Sequence, residues 1–308
     1  MDKMGEKYVS SNFRITNGTR QGSVASPTFW AVYLDPLFGE LRARGVGCHI
    51  GGVFVGVVGY ADDLLLLAPS RKAAQLMLST CESFANDNNI RFSTHIDPKK
   101  SKSKCMYVTG TKSSSVIPPA PLYLCGKALP YVDRCDHLGH TLTCDGKMDK
   151  DCDEKRAKFI DSAVKVREMF HFAYPEQQAA AINKYCADFY GSPLWNINSS
   201  SANSIVSAWR TNLKLIWKLP RNTHRYFVDH CLNTDTPSIR SSLLSRFHGF
   251  FKSLLESNSP EVQVVARLAA RDVRTNMGSN LRVLWEESGL DPWTSSKSLM
   301  RDRLRESD

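Results

Sequence analysis

Asp62 and Asp63 stand side by side between two apolar runs, in Gly52-Val-Phe-Val-Gly-Val-Val-Gly-Tyr-Ala-Asp-Asp-Leu-Leu-Leu-Leu-Ala68. Adjacent carboxylates on a dry scaffold repel and raise each other's pKa. A hard divalent cation such as Mg²⁺ removes that cost, because it seeks carboxylate oxygens and keeps positions open for substrate phosphates. The same pair also reads as a polar turn, since Asp is a common turn residue. The local sequence leaves both readings open. The flanking runs carry no charge and read as buried strands, although their length alone would also allow helix. With Tyr60-Ala61-Asp62-Asp63 between them, the economical element is a hairpin with the acids at its tip.

The segment upstream is Asn17-Gly-Thr-Arg-Gln-Gly-Ser-Val-Ala-Ser-Pro-Thr-Phe-Trp-Ala-Val-Tyr-Leu-Asp-Pro-Leu-Phe38. Arg20-Gln21-Gly22 closes a polar loop. Ser26-Pro27 predicts a helix start, with Ser as N-cap and Pro at the first helical position. Phe29, Val32, Tyr33, Leu34, Leu37, Phe38 and Leu41 then recur at helical spacing. A glycine-containing loop that feeds a helix N-terminus offers backbone N–H groups to a phosphate or nucleotide. Arg20 adds positive charge there, and Gly22 permits close approach of a base or sugar.

Taken together, these motifs resemble the C-terminal part of a reverse transcriptase of the non-LTR (LINE-type) retrotransposons. Arg20-Gln21-Gly22-Ser23 through Ser26-Pro27 is similar to motif B of the polymerase palm, and Tyr60-Ala61-Asp62-Asp63 to motif C. Ile90-Arg-Phe-Ser-Thr-His-Ile-Asp-Pro-Lys-Lys-Ser-Lys-Ser-Lys-Cys-Met-Tyr107 resembles motif D, with Lys100, Lys102 and Lys104 as alternatives for its lysine and Lys102 preferred. His137-Leu138-Gly139 resembles motif E, the primer grip, with His where family members usually carry Tyr. The resemblance implies RNA-directed DNA synthesis on an RNA template, a DNA primer and a deoxynucleoside triphosphate. It makes Asp62 and Asp63 the ligands of Mg²⁺, or of Mn²⁺ in its place. Arg20, Gln21, Gly22, Tyr60 and Lys102 would line the nucleotide and template pocket.

Two-metal phosphoryl transfer needs carboxylates that bridge two cations. In the resembled family the third comes from motif A, several dozen residues before motif B. Only nineteen residues precede Arg20, and Asp2 is the single Asp among them. The expectation is therefore a chain truncated before motif A and lacking the fingers, polymerising poorly or not at all by itself. Two further readings stay open: a catalytically dead remnant that binds RNA or an RNA–DNA duplex, and a non-enzymatic interaction protein.

The 308 residues carry a formal net charge of +9, which favours polyanionic partners. At 42 % hydrophobic residues the chain can build a real core. No apolar run approaches the length of a membrane span, and the N-terminus lacks the apolar core of a signal peptide. Nine scattered cysteines suggest reduced thiols, so the expected location is intracellular, nuclear or cytoplasmic, with no membrane partner. Cys135, His137, His140 and Cys144, with Cys152 nearby, have the types for a zinc site. The strand-like alternation around them, which points neighbours to opposite faces, argues against one.

The elements that must position these residues follow from periodicity. A strand is predicted around 8–15, the motif B helix over 27–44, and a helix over 71–86 capped by Ser70. That second helix has Ala74, Met77, Leu78, Cys81, Phe84 and Ala85 on one face. Short strands are predicted at 90–94, 105–108, 122–124 and 129–132, with a surface loop over 111–120. From Met148 the pattern is helical: 155–173, with Lys155, Lys158 and Lys165 on a basic face, then 177–190, 204–218, 239–257, 261–276 and 280–287. The expected fold class is α+β: a partial polymerase palm of antiparallel strands with packed helices (1–147), a thumb-like helical region (148–218) and a helical C-terminal extension (219–308).

Overall fold

The structure is a computed structural model, and it describes residues 18, 22–95, 97, 100–109, 120–230 and 238–306. The strand predicted at 8–15 and nearly all of the loop at 111–120 lie outside the described residues. The fold is α+β, with short antiparallel hairpins in the first half and helices in the second.

Helix α1 (Ser26–Arg44) starts one residue earlier than predicted. Ala25 occupies the N-cap position without a side-chain cap bond, so Ser26 is the first helical residue and not the cap. Pro27 still falls in the first turn, where its missing N–H is harmless. Gly45 stops the helix in the left-handed conformation (φ 61°), returning its N–H to Arg42 O at 3.1 Å. Helix α2 (Arg71–Asp87) begins as predicted, with Ser70 Oγ accepting from Ala73 N at 3.2 Å. Met77, Cys81 and Phe84, spaced on one helical face, are buried against Leu37 and Leu41 of α1. Each such side chain contributes about 1.5–3 kcal/mol of burial.

Between these helices run β1 (His49–Ile50), β2 (Val53–Phe54), β3 (Val57–Tyr60) and β4 (Asp63–Leu66). β1 pairs with β2 and β3 with β4, each antiparallel. The apolar run before Tyr60 is thus not one strand. Val53-Phe54 closes a first hairpin, and the chain breaks at Val55-Gly56 before entering the second. Val57, Leu64 and Leu66 lean on the α1–α2 core, whereas Val58 and Tyr60 are exposed. The expectation of fully buried flanks therefore fails, because only one face of this two-stranded ribbon is covered.

The predicted strands at 90–94 and 105–108 do not form ladders. Cys105 makes an isolated parallel bridge to Tyr131, and Ser103 N bonds Ser93 O at 3.1 Å. β5 (Tyr123–Leu124) and β6 (Lys127–Ala128) form a hairpin across Cys125-Gly126, and Leu129 N extends it to Leu122 O at 2.7 Å. β7 (Arg134–His137) and β8 (His140–Thr143) form another across Leu138-Gly139.

Helices α3 (Asp149–Met169), α4 (Pro175–Tyr185), α5 (Ser200–Ile216), α6 (Arg225–His230), α7 (Ile239–Leu255), α8 (Pro260–Arg271), α9 (Asn276–Ser288) and α10 (Lys297–Glu306) follow, with a 3-10 turn at Ser192–Leu194. One apolar core runs through them from Cys152 to Leu304, with Phe159, Trp195, Trp209, Phe247 and Phe251 at its centre. Trp293 joins it edge-on to Phe251 (rings 5.0 Å apart), whereas Trp285 is largely exposed. α6 and α10 were not anticipated. α6 is only six residues long, and α10 is so charged that its two buried residues, Met300 and Leu304, are a single helical step. No helix among the described residues is long and apolar enough to cross a membrane.

Candidate active site

The two acids sit where β3 turns into β4. Tyr60 pairs with Asp63, leaving Ala61-Asp62 as a two-residue turn. Ala61 takes φ 51°, a left-handed conformation costing about 1–2 kcal/mol for a residue with a Cβ. Asp62 and Asp63 are both exposed, and their carboxylates make no ion pair or hydrogen bond among the described residues. They are free to meet a cation.

Helix α1 holds this turn in two places. Trp30 Nε1–H donates to Ala61 O at 2.7 Å. Two residues earlier, Gly59 abuts the tip of the Phe38 ring, where an added Cβ would come within 2.4 Å of Cζ. Tyr33 Oη–H, on the same helix, donates to Asn88 O and ties α1 to the end of α2. The aromatic residues in the first half of α1 thus do not form a core stripe. Phe29, Val32 and Tyr33 are exposed, and burial is confined to Leu37 and Leu41. Gly22, in the loop entering α1, has φ 79°, a conformation suited to glycine. Arg20 and Gln21 lie outside the described residues.

The lysine segment is anchored by a buried serine. Ser101 Oγ–H donates to Ser103 O at 2.6 Å and accepts from His95 N at 3.3 Å. Lys100, Lys102 and Lys104 are exposed. Lys104 lies toward β7, where its charge partly offsets the rise that burial imposes on the Cys135 thiol. No hydrogen bond or ion pair joins Lys102 to the acid pair among the described residues.

His137, Leu138 and Gly139 form the tip of the β7–β8 hairpin, which rests on α3 rather than on α1. Leu138 (φ 48°) and Gly139 (φ 76°) make the turn, with His137 paired to His140. Lys155 Nζ donates to Gly139 O at 2.9 Å and lies 5.9 Å from the centre of the Tyr190 ring. That ring stacks on His140 at 5.1 Å. Beneath them Asp151, almost fully buried, accepts from Thr141 N at 3.2 Å and from Trp195 Nε1 at 2.7 Å. His140 Nδ1 is 3.8 Å from the same carboxylate. Cys135, His137, His140, Cys144 and Cys152 are not brought together. Among the described residues no group of three His, Cys, Asp or Glu side chains could hold a metal ion.

Sequence reasoning missed Trp30, Asp151 and Tyr190. Trp30 was one aromatic among several on a helix. Asp151 sits in the acidic run Asp149-Lys-Asp-Cys-Asp153, which resembles any solvated first helical turn. Of the basic face assigned to α3, Lys155 is engaged by Gly139 O and Lys165 pairs with Asp161 at 2.6 Å.

Residues 3–142, a little under half of the chain, match the family model of the reverse transcriptase (RNA-dependent DNA polymerase). Two curated relatives are proteins of retrotransposable elements. Over 152 residues, or 47 % of the chain, it is 25 % identical to the Pol polyprotein of the type-2 retrotransposable element R2DM of Drosophila melanogaster. Over 137 residues, or 42 % of the chain, it is 31 % identical to a 115 kDa protein of the type-1 retrotransposable element R1DM of the same organism. These matches span only 13 % and 11 % of the two relatives' own lengths.

Proposed function

We propose that this chain is the palm and thumb part of an RNA-directed DNA polymerase, with Asp62 and Asp63 as two of its metal-binding carboxylates. The observation that carries the reading is the exposed, uncommitted acid pair at a turn that α1 fixes through Trp30. The donor set fits Mg²⁺ or Mn²⁺, being hard oxygen ligands on a rigid hairpin beside open solvent. A bound cation there would supply charge neutralisation for the primer 3′-hydroxyl and the departing pyrophosphate. Asp62, in the turn itself, is the principal ligand and Asp63 the secondary one. The loop at Arg20, Gln21 and Gly22, with Tyr60, lines the nucleotide and template pocket. Lys102 acts on the triphosphate. His137, Leu138 and Gly139 hold the primer end, seated on α3 by Lys155.

A third carboxylate would have to come from outside the described residues. Unless such a carboxylate joins the pair, primer extension is weak or absent. RNA template, DNA primer and deoxynucleoside triphosphate are the partners, and the compartment is intracellular. For the chain's organisation, 1–147 serves as palm, 148–218 as thumb and 219–308 as helical extension.

The test is Mn²⁺ binding to the chain, followed by electron paramagnetic resonance, together with primer extension on a primed RNA. Binding that disappears in Asp62→Asn/Asp63→Asn, with little or no extension, supports the reading. Mn²⁺ binding equal in the double variant overturns the metal site. A second reading, nucleic-acid binding without chemistry, is favoured by the net charge of +9. It predicts salt-sensitive binding of a primer–template duplex that the Asp62→Asn/Asp63→Asn variant retains in full and that Mn²⁺ does not alter.

A further inference from the structure

A cleft of about 400 Å³ lies between α7 and α10, lined by Ser241, Ser242, Ser245, Arg246, Gly249, Arg301 and Arg305. It falls outside the reverse-transcriptase match and far along the chain from the acid pair. Ser242, Ser245, Arg246 and Gly249 follow one face of α7 at steps of three, one and three residues. Arg301 and Arg305 are one helical step apart on α10. Ser241 Oγ–H, donating to Leu304 O at 3.3 Å, fastens the two helices beside the cleft.

The arginines of this region divide into two groups. Arg240 pairs with Glu287, Arg303 with Glu306 at 3.0 Å, and Lys297 with Glu256 at 3.5 Å. The guanidinium groups of Arg246, Arg301 and Arg305 make no ion pair or hydrogen bond among the described residues, and these are the three that line the cleft. No acidic residue lines it. Like charges gathered without a counter-charge destabilise a fold unless an anion joins them.

Gly249 shapes the floor of the cleft. It stands inside a 17-residue helix, where glycine costs about 1 kcal/mol relative to alanine. No backbone contact excuses it, because a Cβ built there meets nothing within 4 Å. What a larger residue would occupy is the cleft. Gly249 thus leaves the α7 side of the cleft without a side chain.

We propose that this cleft binds the phosphodiester backbone of a nucleic acid. Guanidinium groups match phosphate oxygens bidentately, serine hydroxyls are common phosphate donors, and a glycine floor lets the sugar–phosphate chain approach the helix. The volume suits a phosphate with its flanking sugars, within the range of small-ligand sites. The inference does not depend on the acid pair being catalytic.

The test is fluorescence anisotropy of the full chain with a labelled 20-nucleotide single-stranded RNA across a salt series. Arg301→Gln/Arg305→Gln is compared with Arg267→Gln/Arg271→Gln, an equally spaced pair on α8 that removes the same charge. The cleft pair should weaken binding about tenfold more than the control, one charge-assisted hydrogen bond being about 1.5–3 kcal/mol. It should also reduce the log–log salt slope by about 1–2. Gly249→Leu, which changes no charge, should weaken binding while circular dichroism stays that of a folded helix. Equal loss from the two charge pairs overturns the proposal. Unchanged binding by Gly249→Leu overturns it too, because the charge would then act as a diffuse field and not as a site. Polyglutamate or pyrophosphate competing as well as unlabelled RNA at matched ionic strength overturns the assignment to a polynucleotide backbone.

Discussion

Replacing Trp30 by Phe keeps an aromatic ring on α1 but removes the N–H that reaches Ala61 O. The bond is short, 2.7 Å, and it holds a turn whose first residue is strained at φ 51°. A neutral hydrogen bond contributes about 0.5–1.5 kcal/mol net. The Ala61 carbonyl is exposed, so the lower half of that range applies, about 0.5–1 kcal/mol, or a two- to fivefold change in local opening. The loss should be local, because the hairpin and the Cys152–Leu304 core belong to different apolar clusters. Native-state hydrogen exchange resolves this: amides of β3 and β4 should exchange two to five times faster in Trp30→Phe, while those of α7 keep their rates. Adding Ala61→Gly should return part of the protection, since glycine adopts the left-handed turn at little cost. Unchanged exchange in β3 and β4, or equal acceleration throughout the chain, would refute the claim that Trp30 positions the acid pair.

Other expectations concern the supports of the two hairpins and the buried thiols. Gly59→Ala forces a Cβ into the Phe38 ring and should cost about 1–3 kcal/mol in chemical denaturation, with Phe38→Leu restoring most of it. Equal stability of the single variant would mean that the hairpin does not lie on α1 as described. Asp151→Ala strands two buried donors, Thr141 N and Trp195 Nε1, and should cost about 2–5 kcal/mol. A loss under 1 kcal/mol would show that water reaches them. Burial pushes the Cys81 thiol up to about 12 from an ordinary 9.0, and burial followed by its acidic neighbours does the same for Cys152. Both thiols stay protonated in the fold while the unfolded chain ionises above pH ~9, so their stabilisation is complete below pH 9 and is lost towards pH 12. Each should contribute a slope of about 1.4 kcal/mol per pH unit between pH 9.5 and 11. Cys81→Ala should flatten the urea midpoint against pH by that share, and an unaltered slope would rule the mechanism out.

How much of this was legible beforehand depends on what each feature rests on. Ser70 as a cap, the Met77–Cys81–Phe84 face and the Gly45 stop are local signals, and the helices they define formed where expected. The first half of α1 misled because Phe29, Val32 and Tyr33 share a spacing with Leu37 and Leu41, yet periodicity cannot say which turns have a partner. The strands expected at 90–94 and 105–108 failed for a related reason. β-propensity proposes a strand, but a ladder needs a neighbour in register, and Cys105 found one only at Tyr131. Asp151 was unreadable in principle, since its role needs Trp195, which lies 44 residues away. The motifs quoted from the sequence are each contiguous, whereas the groups that support their turns are not.

The two candidate functional turns share one construction. Each places a residue with a Cβ in the left-handed region, Ala61 at φ 51° and Leu138 at φ 48°, where glycine would be cheaper. Each then receives a hydrogen bond at a turn carbonyl from a helix side chain, Trp30 to Ala61 O and Lys155 to Gly139 O. An aromatic ring also lies against each adjoining glycine: Phe38 of α1 at Gly59, and Tyr190, from the segment after α4, at Gly139. Strain of about 1–2 kcal/mol is thus partly offset by the helix tether, so neither turn is held by its own sequence. Such a turn keeps its position only while its helix keeps the chain in place. That makes α1 and α3, rather than the hairpins, the elements whose movement would change the distance between the acid pair and the Leu138-Gly139 turn. Because the tethers lie in separate clusters, Trp30→Phe and Lys155→Met should add in their effects on local exchange. A coupling above about 0.5 kcal/mol would instead mean that the two hairpins move as one body.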